Sequence, residues 1–561
     1  MVHAENSSPR ATSYDAVAYP GYIHAQTHPD QMATKATLFG LSPAPAESCR
    51  VLELGCGEGT NLISFAQGLP GTEFVGVDLA ASAIGRGQEL IQGLGLKNIT
   101  LKAESVTEIS PDWGPFDYII AHGIYSWVPE GVRDQILAIC EANLAPHGVA
   151  QVSYNVHPGG HLRNMFREMM LFHTNGFADP HERVHQAIAL VKFLGESQKN
   201  TDPYAQFLQQ QFEHLSQREP STIFHDELSE VHHPVWFHQF VEHATQHRLQ
   251  YLAEADYVHV HYGNSQVTQA LQQLGTNRIA REQYLDFLSF RRFRQTLLCH
   301  AERELRFGMT PEMLPRFYVS SPARPVSPQF VLSSNTTEEF VGENDSSLRI
   351  DDPFGKAALI VLSEDWPRAV PFLELLERTR AKLGSDFQFP ISDLRSSSQS
   401  LLTPAAATPG FNARRFSEQP SPESLIDSAA LKLFEAFLRV YAPGLVTLHL
   451  CPSKFALRPG STPVASSLAR WQARAGDSVI TLRHVRITLN SARERHLLTL
   501  LDGTRDRAAL ARAMRAAPQT INGPPSPAGG ASAPAPIDDP EGSKELEEIL
   551  ASFARSGLLV S

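Results

Sequence analysis

Long uninterrupted apolar runs are missing from this chain of 561 residues. None approaches the roughly 18 residues that a spanning helix needs, so no membrane span is expected. The first residues, MVHAENSSPRATSYDAVAYPGY, lack the continuous apolar core of a signal peptide. Cysteine is scarce: Cys49, Cys56, Cys140, Cys299 and Cys451 are odd in number and include no CxxC pair. That pattern fits reduced thiols rather than a disulfide framework. Positive charge is also short, with 48 Lys and Arg against 60 Asp and Glu and a net charge of −12. Such a chain offers no general counter-charge to a phosphate backbone. The expectation is a soluble, cytoplasmic protein without a nucleic-acid partner.

What is present begins with enough apolar residues, 42%, to build ordinary cores. At roughly 150 residues per domain, the length suggests three or four domains. From Val51 to Asn155, short apolar strands alternate with helix-period segments, with helices expected near 60–67, 81–92 and 132–144. The alternation indicates a doubly wound, Rossmann-like α/β fold with helices on both faces of a parallel sheet. The expected layout is an N-terminal arm (1–45), an α/β domain (46–160), a helical insertion (161–220) and a mixed region (221–305). In the last of these, LQYLAEA and FRQTLLCH read as strands returning to the first sheet. ARPVSP reads as a linker before a helical middle domain (325–395). Then follow a flexible linker (396–424), a compact C-terminal domain (425–515), a disordered linker (516–542) and a terminal helix (543–561).

The stretch VLELGCGEGT places Gly55, Gly57 and Gly59 two apart, straight after a strand. A dinucleotide fingerprint needs its third glycine three residues after the second, and a P-loop needs GK[ST]; neither is here. Asp78 closes EFVGVD, the next strand, where a carboxylate takes ribose hydroxyls. A ribose-bearing ligand without a pyrophosphate fits both facts, and S-adenosylmethionine meets that description. Gly55 and Gly57 would admit the ligand against the backbone. Glu53, costly to bury alone, would be satisfied near an ammonium group, and Asn61 would cap the helix or touch the ligand.

VLELGCGEGTNL, GVDLAASAI and FDYIIAHGIYSWVP resemble motifs of the class I methyltransferases, which share this fold and bind S-adenosylmethionine. The resemblance makes Glu53, Gly55, Gly57, Asn61, Asp78, Leu79 and His122 cofactor residues. It puts Glu104, Ser105 and Val106 beside the adenine, although the family's usual aspartate is absent there. SYDAVAYPGYIHAQTHPDQMATKATLFGL, SYNVHPGGHLRNMFREMM, PVWFHQFVEHA, REQYLDFL and FRQTLLCH are similar to a bacterial group carrying a methyltransferase regulatory domain. That group includes the rickettsial protein-lysine methyltransferases, which act on an outer-membrane protein. LARWQARAG and LDGTRDRAALARAM look like its C-terminal, winged-helix-like region. The resemblance therefore implies a protein substrate, a regulatory role for 221–305, and dimerisation through 161–220. The nucleic-acid signature, Asn or Asp with Pro-Pro-Tyr after the fourth strand, is replaced by AHGIYSW.

If the acceptor is a lysine, its ammonium must lose a proton, at a cost of about 4 kcal/mol near neutral pH. A sulfonium about 4 Å away disfavours the ammonium by roughly the same amount at an effective dielectric of about 20. No dedicated general base is then required. Orientation would fall to Tyr125 and Trp127 after the fourth strand, and Tyr154 and Asn155 after the fifth. His122 and His157 are alternative bases, and Tyr14, Tyr19, Tyr22 and His24 are candidates for a lid. A small-molecule methyltransferase and a non-catalytic, S-adenosylmethionine-binding sensor remain open. HHPVWFHQFVEHATQH places His243 and His247 four apart, but the order is not HExxH and no third ligand is evident. No metal is expected.

Overall fold

The computed structural model describes residues 13–197, 202–256, 265–275, 277–306, 311–332, 335–343, 346–384, 445–515 and 540–560. The linker expected at 396–424 lies outside them, as does 516–539 of the second linker.

Seven strands form the main sheet: β1 (Arg50–Leu54), β2 (Glu73–Asp78), β3 (Ile99–Ala103), β4 (Phe116–Ala121), β5 (Leu144–Asn155), β6 (Leu249–Glu254) and β7 (Phe293–His300). Their spatial order is β3-β2-β1-β4-β5-β7-β6. The first five run parallel, while β7 lies antiparallel to both β5 and β6. LQYLAEA and FRQTLLCH therefore belong to the first sheet although they follow it by about a hundred residues. The three crossover helices are Thr60–Ala66, Ala81–Leu94 and Glu130–Asn143.

β1 shows why these strands read as unbroken apolar runs: both of its faces are covered. Val51 packs into one core with Met32, Phe65, Phe74 and Tyr118. Leu52 and Leu54 enter the opposite core with Phe116, Ile136, Tyr154 and Phe240. Glu53 shares the Val51 face, because side chains alternate along a strand. The strand order reverses on either side of β1, so the connections leaving the carboxyl ends of the paired strands β1 and β4 pass to opposite faces and leave a crevice between them.

The insertion comprises the helices Gly159–Thr174, Pro180–Glu196, Pro203–Ser216 and Pro220–Glu227. It has its own core of Phe166, Met170, Val184, Leu208, Leu215 and Ile223. Two of the helices begin with an aspartate cap followed by proline: Asp179 accepts from the Glu182 N–H at 2.8 Å, and Asp202 from the Ala205 N–H at 2.9 Å. These caps satisfy N–H groups that a helix start leaves unpaired.

Beyond β7 the expected boundaries need correction. The middle unit is not simply helical. Its helices Pro353–Asp365 and Phe372–Leu383 pack with short strands, including Tyr318–Ser320 paired to Val370–Pro371 and Thr447–His449. ARPVSP is not a free linker, because Arg324 and Pro325 pair with Val341 and Phe340. Residues 445–449 thus belong to the middle unit rather than to the C-terminal domain. The last helix, Pro540–Arg555, is not separate either. Leu546, Leu550 and Phe553 share one core with Ala465, Leu497 and Leu510, which buries the apolar stripe of the helix. In the N-terminal arm, Pro29–Leu38 is a helix whose Met32, Ala33 and Ala36 enter the main core. No helix among the described residues is long and apolar enough to cross a membrane.

Arg294 on β7 fastens the added strands. It is 1% exposed, and its guanidinium meets Asp286 at 2.8 Å, Glu254 at 2.7 Å and Glu282 at 3.1 Å. Removing one partner from such a buried cluster leaves an uncompensated charge. Arg294→Ala should therefore lower stability by about 3–5 kcal/mol, read as a fall in the urea midpoint by circular dichroism. An unchanged midpoint would contradict the fastening role.

Candidate cofactor and acceptor site

The crevice at the carboxyl ends of β1 and β4 opens into a cavity of about 780 Å³. Gly57 has φ of +57° and Gly59 φ of +74°, a region that side chains avoid. A Cβ on Gly59 would strike the Leu101 side chain at 2.6 Å, whereas one on Gly57 would meet nothing. Gly59 is required by packing, and Gly57 keeps free space beside the turn.

Asp78 fixes that turn from the neighbouring strand. Its carboxylate accepts from the Gly57 N–H at 2.8 Å and the Ala80 N–H at 2.9 Å. Each oxygen keeps acceptor capacity for a ribose hydroxyl. Burial raises the Asp78 pKa, and these N–H groups oppose the rise. Leu79 beside it is 59% exposed, an apolar surface open to the cavity.

Glu53 is 4% exposed. One carboxylate oxygen accepts from the Asn61 side-chain amide at 3.0 Å, and the other is buried with no hydrogen-bond partner among the described residues. Burial pushes its pKa up to about 8, against the Asn61 hydrogen bond, so near neutrality it is mostly protonated. An arriving ammonium would supply the missing partner. The unpaired Glu53 oxygen, the space at Gly57, the spare acceptors of Asp78 and the bare Leu79 surface together fit a nucleoside joined to an amino acid. S-adenosylmethionine has that form, and these four residues would hold it.

All nine residues expected to hold the cofactor line this cavity: Glu53, Gly55, Gly57, Asn61, Asp78, Leu79, Ser105, Val106 and His122. Glu104 does not. Of the expected acceptor residues, Trp127 and Asn155 line the cavity and Tyr125 and Tyr154 do not. The Tyr154 hydroxyl pairs with the Thr296 hydroxyl at 2.8 Å, and its ring stacks on Phe240 in the core. The Tyr125 hydroxyl pairs with His243 Nδ1 at 2.8 Å, also facing away from the cavity. Both tyrosines are therefore corrected from site residues to packing residues. His157, offered as a base, stacks on His161 outside the cavity.

The N-terminal arm runs along the cavity. Asp15 accepts from the Ser82 hydroxyl at 2.7 Å, and Tyr19 donates to Asp226 at 3.3 Å. Tyr22 pairs with Thr222 at 3.0 Å, and Tyr14 stacks on His225. His24 stacks on His122 with ring centroids 3.5 Å apart. Burial lowers the pKa of His24 to about 4 and holds that of His122 well below the usual imidazole range, so both imidazoles are neutral at physiological pH.

Sequence reasoning missed the far wall, which the helical insertion supplies. Leu162, Phe166 and Phe207 give it an apolar surface. Arg163 bonds Glu227 at 2.8 Å and reaches Asn155 at 3.3 Å, and Arg218 bonds Glu227 at 2.7 Å. Arg163 also lies over the Trp127 ring, 5.4 Å from its centroid. The quoted SYNVHPGGHLRNMFREMM contains Asn155 at the end of β5 and Leu162, Arg163 and Phe166 at helical spacing beyond it, but nothing local marks that face as a wall of the site.

Asp78→Ala would remove two backbone tethers and the ribose acceptor. Charge-assisted hydrogen bonds of this kind are worth about 1.5–3 kcal/mol, so S-adenosylmethionine should bind about 10–100-fold more weakly by isothermal titration calorimetry. Tyr154→Phe should leave the affinity unchanged. Equal losses in the two variants would contradict the assignment.

Three family models match the chain. They are a methyltransferase domain over residues 51–148, a predicted methyltransferase regulatory domain over 219–300, and the PKMT C-terminal winged helix domain over 461–558. Two uncharacterised proteins of Rickettsia prowazekii are similar. One is 36% identical, aligned over 66% of this chain and 68% of its own length; the other is 41% identical, over 41% and 93%. The solved structure of PKMT2 from Rickettsia typhi is 28% identical and covers 97% of this chain and all of its own, with a TM-score of 0.78. The same protein in complex with AdoHcy gives a TM-score of 0.77. With the sheet order, the glycine turn and the Asp78 tether, these likenesses have one reading: the chain belongs to the rickettsial-type, PKMT-like class I S-adenosylmethionine-dependent methyltransferases, with a regulatory domain and a C-terminal winged helix.

Proposed function

We propose that this chain methylates the amine of a lysine side chain in a protein substrate. The cofactor supplies an electrophilic methyl group on a sulfonium centre. The chain's own residues have to bind the acceptor, orient it and exclude water.

The observation that carries this reading is the part of the cavity that the cofactor residues do not account for. Trp127, Leu162, Phe166 and Phe207 form an apolar wall, with Asn155, Asp226 and Glu227 as polar neighbours. Apolar walls suit the methylene stem of a lysine, and oxygen acceptors suit its nitrogen. Asn155 is 4% exposed and held on both sides. Its N–H donates to the Ser126 hydroxyl at 2.8 Å, and its side-chain oxygen accepts from Arg163 at 3.3 Å. It is thus a fixed group whose side-chain oxygen keeps a second lone pair for the acceptor amine. His24 and His122 are poor bases at their lowered pKa values, which agrees with deprotonation driven by the sulfonium charge rather than by a side chain. The likeness to PKMT2 over 97% of the chain extends far beyond the methyltransferase domain, as a substrate needing a large docking surface would require.

The N-terminal arm favours a second reading. Its bonds from Tyr19 and Tyr22 to the helix Pro220–Glu227 cross the cavity, as expected of a pocket that encloses a small molecule. Incubation with isotopically labelled S-adenosylmethionine and a bacterial extract separates the two. Label on lysines of intact proteins supports the proposal, and label confined to small molecules supports the second reading. Asn155→Ala and Trp127→Ala should each lower kcat by about 100-fold, as misplaced acceptors do, with little change in cofactor affinity. A change in cofactor affinity alone would remove them from the acceptor site.

A further inference from the structure

Outside the cavity, three side chains from two regions converge on one point of the surface. Asp134 belongs to the helix Glu130–Asn143 of the methyltransferase domain. His243 lies in the helix Phe237–Gln246 of the regulatory region, and His247 directly follows it. His243 Nε2 lies 3.3 Å from Asp134 Oδ1, and His247 Nε2 lies 2.8 Å from the same oxygen. The three ligand atoms all fall within 4.8 Å of one another. From these observations we propose that Asp134, His243 and His247 bind a divalent transition-metal ion of the zinc type.

The sequence offered only the pair of histidines, because the third ligand lies more than a hundred residues away. Zinc–nitrogen and zinc–oxygen bonds of about 2.0–2.2 Å at tetrahedral angles separate neighbouring ligand atoms by roughly 3.3–3.5 Å. The cluster is already near that size, and a slight opening between His247 and Asp134 completes it. The donor set of two imidazoles and one carboxylate suits zinc, with water in the fourth position. The Asp134 side chain is 59% exposed, so solvent reaches that position.

The support behind the ligands separates this cluster from a chance surface ion pair. The buried Tyr125 hydroxyl lies 2.8 Å from His243 Nδ1, which orients the ring with Nε2 outward. Metal binding needs the lone pair on Nε2 and hence the proton on Nδ1. A tyrosine hydroxyl accepts that proton's hydrogen bond as readily as it donates in the other tautomer. His238 takes no part, since its Nδ1 pairs with Gln283 at 2.8 Å on another face. Tyr125 stands two residues before Trp127, which lines the cavity. An ion at this point would join the regulatory region to the loop that bears part of the site.

The test uses the full chain, freed of any affinity tag and stripped with a chelator. Zinc is then titrated against a chromophoric competitor, and cobalt is added for its visible ligand-field bands. The expected result is one equivalent bound, with cobalt bands of nitrogen–oxygen coordination and a zinc-dependent rise in Tm. Asp134→Asn, isosteric and at an exposed position, and His247→Gln should each abolish the stoichiometric site, whereas His238→Ala keeps it. Tyr125→Phe, which removes only the supporting hydroxyl, should weaken binding about 10-fold. Stoichiometric binding unchanged in Asp134→Asn and His247→Gln would overturn the proposal, as would a failure of the wild-type chain to bind zinc.

Discussion

A carboxylate in the middle of a sheet, with one oxygen lacking a partner among the described residues, is the constraint around which this molecule is arranged. Glu53 cannot stay ionised there without help, and its pKa near 8 expresses that cost. The surroundings answer it only in part. Asn61 holds one oxygen and also accepts from the His24 backbone N–H at 2.9 Å and donates to the Thr27 hydroxyl at 3.1 Å. The same amide therefore ties together the strand, the crossover helix and the N-terminal arm. The second oxygen awaits a cation, and the glycine turn beside it keeps the approach clear.

Everything around that point serves to hold it in place. The sheet supplies two adjacent carboxyl ends, β1 with the glycine turn and β2 with Asp78, whose bond to Gly57 sets one against the other. β6 and β7 widen the sheet, and Arg294 locks them down. The helical insertion, which might be thought an appendage, closes the far side with Leu162, Phe166 and Phe207. The Arg163–Glu227–Arg218 network keeps those helices in register. The winged-helix unit is tied to this frame, since Ser466 donates to the Gln67 side chain at 2.9 Å and Arg486 bonds the carbonyl of Gly21, an arm residue that lines the cavity.

Much of this was legible in the sequence where the signal is local. The glycine spacing, the carboxylate closing the next strand and the apolar runs of a doubly covered sheet lie close along the chain, and the residues that line the cavity around the glycine turn followed from them. The errors arose where a neighbour distant in sequence decides the outcome. Tyr154 and Asn155 are adjacent on one strand, so they must face opposite sides; only Asn155 meets the cavity. That alternation was available to reasoning, but which face carried the site was not. Asp134 beside His243, and Arg163 beside Asn155, depend on tertiary packing and leave no periodic trace. The last helix reads as separate because a long stretch precedes it, yet its apolar stripe packs into the core of the winged helix.

Proton release on cofactor binding, followed by calorimetry in buffers of different ionisation enthalpy, tests the central constraint most directly. With a pKa of about 8, Glu53 carries its proton at pH 7 in the free protein. An ammonium placed against its unpaired oxygen favours the carboxylate and pulls that pKa below 7. S-adenosylmethionine should therefore expel close to one proton at pH 7. The number should fall toward zero as the pH passes above 8, and it should vanish in Glu53→Gln. Binding without proton exchange, or the same release from Glu53→Gln, would contradict the account.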